Sequence, residues 1–123
     1  MNVQKLNQAI EMMKRDLGEG FLATDIFTIV DGVSIASYNG QPKACALFNQ
    51  LTNYLTETLA GSDFPNLGKY YILDLVSNHM IIVLPMEEYR WGILIDSSKV
   101  MLGLLLNIVI PKIIDEFEDA MTD

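Results

Sequence analysis

The sequence predicts an α+β sandwich: one five-stranded antiparallel sheet with helices on both of its faces. Three observations predict this fold. Apolar residues recur at helical spacing in three separate segments, five short runs between them are rich in β-branched and aromatic residues, and consecutive runs are joined by short turns. The predicted order is helix, two strands, helix, three strands, helix, which is an arrangement of helices packed on an antiparallel sheet.

The first predicted helix covers residues 2–17. Its apolar residues follow helical spacing; they are Val3, Leu6, Ile10, Met13 and Leu17. Gly18 and Gly20 end this helix, since glycine is common just after a helix terminus.

The first pair of strands is predicted at Thr24–Val30 and Val33–Tyr38. Asp31-Gly32 between them is a two-residue turn signal, because glycine adopts positive φ without strain. The two strands are therefore expected to form a tight antiparallel hairpin.

The second predicted helix begins at Pro42, which suits a first helical turn, and runs to about Ala60. It has three sides. The apolar side consists of Ala44, Phe48, Leu51, Leu55 and Leu59. A stripe of small and mildly polar residues consists of Cys45, Asn49, Thr52 and Thr56. The polar side consists of Ala46, Gln50, Asn53 and Glu57. We expect the apolar side to pack on the sheet, which leaves the stripe pointing sideways.

Three further strands are predicted at Tyr70–Val76, Met80–Met86 and Arg90–Ile95, with a turn at residues 77–79. The middle run is apolar at nearly every position, which is typical of a central strand covered on both faces. Asp74 within the first run favours an edge strand, where a charge discourages unwanted pairing.

The last predicted helix is capped by a residue of the stretch 96–98 and reaches about Met121. Pro111 falls inside it and is expected to bend or interrupt it. The apolar stretch Val100–Ile110 is too short to span a bilayer comfortably, so we expect a buried helix and no membrane insertion.

Composition restricts the function. A chain of 123 residues predicts a single domain, residues 1–123. The formal net charge of −8 and the absence of a basic cluster argue against nucleic acid and anionic membranes as partners. A single cysteine rules out an internal disulfide, and the charged N-terminus does not resemble a signal peptide, so we expect a cytoplasmic protein.

No residue pattern predicts catalysis, a metal or a cofactor. His79 is the lone histidine and is expected in a solvated turn, and Cys45 has no neighbouring base to activate it. One cysteine and one histidine do not make a zinc site, and no glycine-rich phosphate loop is present. We therefore expect a protein that is not an enzyme and that works through a surface.

The surface that the pattern indicates is a self-association interface. Small side chains allow two helices to approach closely, so the same helix of a second copy could lie antiparallel along the stripe of the second helix. Pairing of two sheet edges would extend this interface. The predicted interface residues are Cys45, Asn49, Thr52, Thr56, Tyr70, Ile72 and Asp74. Simple solvent exposure of the stripe is the alternative.

Four segments together resemble the roadblock family, which includes dynein light chains and bacterial gliding regulators. They are IFTIVDGVSIASYN, KACALFNQLTNYLTETLA, YYILDLVSNHMIIVLPM and WGILIDSSKVMLGLLLNIV. The resemblance spans nearly the whole chain, and it implies the same element order and a homodimer or heterodimer formed through the second helix and the third strand. Pro111 and the apolar stretch before it depart from the family pattern.

The resemblance also implies a partner, a small Ras-like GTPase, which the protein would hold or regulate. The docking platform is expected on the polar side of the second helix, at Ala46, Gln50, Asn53 and Glu57. With Arg15 and Arg90 as the only arginines, a scaffolding or switch-ordering role is favoured over direct stimulation of hydrolysis. A ligand-sensing or assembly-adaptor module without a GTPase partner is the alternative.

Overall fold

The computed structural model describes residues 1–122 and contains three helices and one five-stranded sheet, in the order α-β-β-α-β-β-β-α that the sequence predicts. The strands are β1 (Phe21–Thr28), β2 (Ser34–Tyr38), β3 (Tyr71–Leu75), β4 (His79–Pro85) and β5 (Tyr89–Asp96). The first two helices are α1 (Val3–Leu17) and α2 (Pro42–Ala60). The last helix, α3, has three continuous pieces: Leu102–Leu104, Leu105–Val109 and Ile110–Met121.

The sheet has the strand order β2-β1-β5-β4-β3, and every neighbouring pair is antiparallel. β3 is therefore an edge strand, as the charge at Asp74 predicts. β4 lies one strand inside this edge, and its residues from Met80 to Leu84 are all buried, so they contribute to the packing on both faces of the sheet.

Two hydrophobic cores lie on opposite faces of the sheet. The larger core is formed by α1, α3 and one face of the strands, with Leu6, Met13, Trp91, Ile93 and Ile113 among its fully buried members. The smaller core lies under α2. It consists of Phe27, Cys45, Phe48, Ile81 and Val83. Because the core under α2 is small, the position of α2 depends on a few specific contacts.

The predicted two-residue turn between β1 and β2 is wrong. The strands end at Thr28 and resume at Ser34, and Gly32, at φ +67°, donates its N–H to the Thr28 carbonyl at 3.0 Å. The Asp31 carboxylate accepts hydrogen bonds from the Thr28 hydroxyl and the Val33 N–H. These side-chain bonds stabilise a five-residue loop in place of a tight turn.

The connection between β3 and β4 has three residues, as predicted, but lies one position earlier, at residues 76–78. Ser77 and Asn78 both have positive φ, at 62° and 61°, which is the backbone of a tight hairpin turn. His79 is consequently not a turn residue: it is the first residue of β4, paired with Leu75 and Asp96, and its side chain is exposed.

Pro111 does not end the last helix. The five residues Leu105–Val109 adopt π-helical geometry, in which Ile110 donates its N–H to the Leu105 carbonyl. A proline removes one helical donor, and a π segment changes the hydrogen-bond register just before it. The expected interruption is therefore a local change of helix type.

Two expectations for the start of this helix are wrong. No side chain caps it: Asp96 instead accepts from the Ser98 N–H and hydroxyl, and the helix begins only at Leu102. The apolar stretch is also only partly buried: Val100, Leu105, Val109 and Ile110 are buried and Leu106 packs against the larger core, whereas Met101, Leu102, Leu104 and Ile108 are exposed. Within residues 1–122, no helix is long and apolar enough to cross a membrane.

Candidate interaction surface

The helix α2 is fixed to the sheet by a close contact between an aromatic ring and a glycine. The Phe48 ring lies against the backbone of Gly92 in β5, at a point where a Cβ atom would overlap the ring. Phe48 also stacks on Phe27, with ring centroids 6.2 Å apart. Glycine at position 92 thus lets α2 approach the sheet more closely than any other residue would permit.

A buried arginine makes the second attachment. Arg90, only 6% exposed, donates from one guanidinium nitrogen to the Asn49 carbonyl and Asn49 Oδ1, and from another to Asn53 Oδ1, at 3.0–3.1 Å. Asn49 in turn donates to the Thr28 and Ile29 carbonyls at 3.4 Å. Burial lowers the pKa of Arg90. The Arg90 guanidinium donates hydrogen bonds to neutral oxygens of α2, and these bonds tie one side of α2 to β5.

Two further groups of hydrogen bonds involve α2, one beneath its middle and one at its N-terminus. Thr52 donates its hydroxyl to the Phe48 carbonyl, so the Tyr71 hydroxyl is the donor in the 2.7 Å bond between Tyr71 and Thr52. At the N-terminus of α2, the buried Asp25 carboxylate accepts from the Gln41 N–H at 3.2 Å and from the Ser34 hydroxyl. A carboxylate at this end of a helix is favourable because it meets unpaired backbone N–H groups.

These contacts correct the predicted orientation of α2. Cys45 is 1% exposed, Thr52 is 0% exposed and Asn49 is half-buried, so all three face the protein's own sheet. The prediction that they point sideways, towards a second copy, is therefore wrong. The physical reason is that Arg90 and Tyr71 supply buried partners for the polar stripe. Thr56 alone of the stripe is exposed.

An apolar edge of α2, which we define as Leu47, Leu51, Tyr54 and Leu55, is correspondingly left partly open. Leu47 and Tyr54 are exposed and Leu51 and Leu55 are half-buried. Beside Leu47, a groove of about 360 Å³ runs between α2 and the sheet. Apolar residues of the strands contribute to its lining, namely Ala23, Leu75, Ile81 and Leu94. Of the residues that the sequence assigns to the sheet-facing side, Phe48 is buried as predicted and Ala44 packs against the smaller core, whereas Leu51, Leu55 and Leu59 are only half-buried.

The residues predicted for the polar side of α2 do lie on its outward side. Ala46, Gln50, Asn53 and Glu57 are all exposed, as their polar pattern predicts. Asn53 has a second role that the pattern did not reveal, because its side-chain oxygen accepts a hydrogen bond from Arg90. The amide of Asn53 is thus held in one orientation at the surface.

The comparisons with known proteins address the fold. No protein-family model matches the sequence. No curated protein is significantly similar to it. Solved structures do match: MglB of Myxococcus xanthus aligns with a TM-score of 0.79 at 13% identity, over 96% of this chain and 91% of that chain.

Two further structures extend this result. An MglB with a tetrameric arrangement has a TM-score of 0.66 at 12% identity, covering 94% of this chain and 92% of that one. A Roadblock/LC7 domain from Streptomyces avermitilis has a TM-score of 0.57 at 9% identity, covering 88% and 96%. The protein has the roadblock fold. These low identities support the fold alone.

The remaining predicted interface residues on and beside the edge strand β3 differ in their exposure to solvent. Tyr70, just before the strand, and Asp74 are exposed, whereas Ile72 is partly buried against the larger core. The backbone edge of β3 carries no neighbouring strand in the described chain. The role of Thr56, Tyr70, Ile72 and Asp74 in self-association stays a prediction.

The groups considered for chemistry lie apart from one another. Burial, followed by the nearby Asp25 carboxylate, raises the pKa of the Cys45 thiol to about 12, so the thiolate is disfavoured at neutral pH. His79 is exposed and is one of the residues that line the groove. Among residues 1–122, no three metal-ligating side chains of the His, Cys, Asp and Glu type cluster together.

Replacing Gly92 tests the contact that seats α2. In Gly92→Ala the new Cβ displaces the Phe48 ring, and we expect a loss of about 1–3 kcal/mol in the free energy of unfolding, the usual cost of overpacking. Gly103→Ala is the matched control, because a Cβ there meets no atom within 4 Å and alanine favours a helix. The measurement is urea unfolding of both variants. If Gly92→Ala and Gly103→Ala had equal free energies of unfolding, the close contact between Phe48 and Gly92 would be contradicted.

Replacing Arg90 tests the second attachment. Arg90→Met keeps the aliphatic stem but leaves oxygens of Asn49 and Asn53 without their charged donor, and we expect a loss of about 1–3 kcal/mol in unfolding free energy. Arg15→Met, at an exposed position of α1, is the control and should change little. The network would be unimportant if both variants unfolded at the same urea concentration.

Proposed function

We propose that this protein is a non-enzymatic dimeric scaffold or regulator that binds a small Ras-like GTPase. The observation that carries the proposal is the outward side of α2, where Ala46, Gln50, Asn53 and Glu57 form an exposed row on a helix fixed to its sheet from below. The roadblock fold supports this reading, because the sequence resemblance implies a GTPase partner for that family.

The two arginines bear on how such a protein would act. Arg90 is buried and occupied by Asn49 and Asn53, and Arg15 lies on α1, on the opposite side of the sheet from α2. Neither is placed to contribute charge to a GTPase bound on α2. The positions of the two arginines favour a protein that holds its GTPase partner or orders the switch loops of the GTPase. They do not favour a protein that supplies an arginine to the GTPase active site.

We propose that the dimer forms through the β3 edge and the apolar edge of α2. Leu47, Leu51 and Tyr54 replace Cys45, Asn49 and Thr52 in this role, because they are large apolar residues of α2 that remain at least partly accessible. A second copy of α2 lying along them would cover the adjacent apolar groove, and pairing of two β3 edges would extend the sheet across the two-fold axis.

The docking surface is tested by reversing its charge. In Gln50→Lys/Glu57→Lys, repulsion and lost contacts should weaken binding of the GTPase by about tenfold or more. Asn53 is left unchanged, since a substitution there also disturbs Arg90. Gln4→Lys/Glu11→Lys is the matched control: the same residue types, the same spacing and the same change of charge on the exposed side of α1.

The measurement is capture of GTPases from extracts of the source cell by the immobilised protein, with and without a non-hydrolysable GTP analogue. Loss of capture only in the α2 variant, with its solution mass unchanged, supports the proposal. Equal capture by wild type and the α2 variant, or absence of any GTPase from the captured proteins, contradicts it.

A further inference from the structure

The helix α2 crosses the strands of the sheet and continues beyond its edge. The Phe48 ring lies against Gly92 of β5. One turn later, Thr52 bonds Tyr71 of β3, the edge strand. Residues 53–60 extend the helix by about 12 Å, which exceeds two strand spacings of about 4.8 Å each. The last two turns of α2 therefore lie beyond β3, where the described part of the chain has no strand beneath them.

The exposure of two leucines reflects this missing strand. Leu55 and Leu59 follow Phe48 and Thr52 by seven residues, or two helical turns, so they project from the same side of α2. Phe48 and Thr52 are buried, with 7% and 0% of their surface exposed, whereas Leu55 and Leu59 are only half-buried. The sheet-facing side of α2 is thus apolar to its end but loses its cover past the sheet edge.

An aromatic side chain follows the end of the helix. The Ser62 hydroxyl donates to the Leu59 carbonyl at 2.7 Å and accepts from the Phe64 N–H at 3.0 Å. These bonds hold the backbone of Phe64 close to the helix end, while its side chain is 73% exposed. Because the backbone is already ordered, burying this ring against a partner costs little further entropy. We define the α2 overhang as Leu55, Leu59 and Phe64.

The opposite defect lies at the other end of α2. There, the groove of about 360 Å³ leaves apolar residues of the strands without a helix above them, among them Leu75 and Leu94. Leu47 lines the same groove, so the groove opens on the side of α2 that carries the apolar edge. One chain therefore has an apolar helix end without a sheet and an apolar region of sheet without a helix.

A two-fold axis through β3 brings these two features together. When the β3 edges of two copies pair antiparallel about the central residue Leu73, Tyr71 of one copy lies opposite Leu75 of the other. Since α2 crosses β3 at Tyr71, it continues above Leu75 of the other copy. Leu59 follows Thr52 by about 10 Å, or two strand spacings, which is the position of β4 in the other copy. Residues of that strand line the groove.

From this match we infer that the α2 overhang of each copy fills the groove of the other copy, with Leu59 and Phe64 as the anchoring side chains. The inference rests on the dimer proposed above and adds which segments the two copies exchange. The contact forms twice in each dimer and is self-complementary, as a two-fold axis requires.

The charges beside the two segments agree with this arrangement. The axis lies half a strand spacing beyond Thr52, so it crosses α2 near residue 54. Lys43 and Asp63 are both exposed and lie about ten residues to either side of that point, on the scale of 1.5 Å per residue. Each Lys43 is thereby brought near Asp63 of the other copy, beside the inserted Phe64. Opposite charges at the edge of an interface favour its correct register.

The first test is the dissociation constant of the dimer, measured by sedimentation over a range of concentrations. Phe64→Ser removes one ring from each of the two grooves, and we expect the constant to rise by about a hundredfold, or tenfold for each ring. Val30→Ser, at an exposed position in the β1–β2 loop, is the control and should dimerise as the wild type does.

The outcomes separate this inference from the dimer itself. A dimer that forms equally well in the wild type and in Phe64→Ser overturns the exchange of overhangs and leaves the dimer proposal standing. An equal weakening in Val30→Ser also overturns the exchange. A wild type that stays monomeric at every concentration overturns both proposals.

The second test is a cross-link between the overhang and the groove. Chains with Phe64→Cys are mixed with chains with His79→Cys, which places a thiol in the groove but away from the apolar edge of α2. We expect a short bismaleimide to join the two kinds of chain, while the buried Cys45 does not react. Chains with Val30→Cys replace the His79→Cys chains in the control. Equal linking of position 64 to positions 79 and 30 contradicts the exchange.

Capture of the GTPase distinguishes the remaining occupant of the groove. At concentrations where Phe64→Ser is dimeric, it should capture the GTPase as the wild type does, because Gln50 and Glu57 lie on the outward side of α2. Loss of capture by Phe64→Ser with an unchanged dimer dissociation constant would assign Phe64 to the GTPase and overturn the inference.

Discussion

The arrangement of this protein's surface depends on how α2 is seated on the sheet. The Phe48 ring occupies the space that the missing side chain of Gly92 leaves open, and Arg90 bonds two asparagines on the adjacent side of the helix. The core beneath α2 is small. With little apolar area to fix its rotation, these directional contacts decide which side of α2 faces the sheet and which sides face outward.

That rotation explains the division of α2 into surfaces. The polar stripe faces inward because Arg90, Tyr71 and the backbone carbonyls of β1 and its loop supply partners, and buried polar groups without partners would be costly. Leu51, Leu55 and Leu59, which a simple apolar pattern assigns to the core, are then left half-buried, and the exposed Leu47 lines the neighbouring groove. One side of α2 is therefore apolar and suited to self-association, and another is polar and suited to a separate partner.

Much of the fold could be predicted from the sequence, because strand and helix patterns were unambiguous and the connections short. The element order, the edge position of β3 and the central position of β4 are confirmed. The tight β1–β2 turn was wrong since side-chain bonds of Asp31 are not visible in a composition pattern. The cap of α3 was wrong because Asp96 bonds Ser98 in a turn that precedes the helix.

The orientation of α2 was harder to predict because its determinants are distant in sequence. Gly92 and Arg90 lie about forty residues from Phe48 and Asn49. Nothing in the helical periodicity reveals that a glycine will lie under one ring, or that an arginine will reach two asparagines. The signal that existed was the arginine itself: Arg90 begins the predicted fifth strand, and a guanidinium at a strand that packs against helices needs hydrogen-bond acceptors.

The seating of α2 is tested most directly by the reactivity of Cys45 with a thiol reagent. If α2 faces the sheet as described, the native thiol should react far more slowly than the unfolded chain, since it is buried and its pKa is raised to about 12. Ala46→Cys in a Cys45→Ser background moves the thiol one residue to an exposed position and should react rapidly. Equally rapid reaction of native Cys45 would show that the polar stripe faces solvent and would contradict the account.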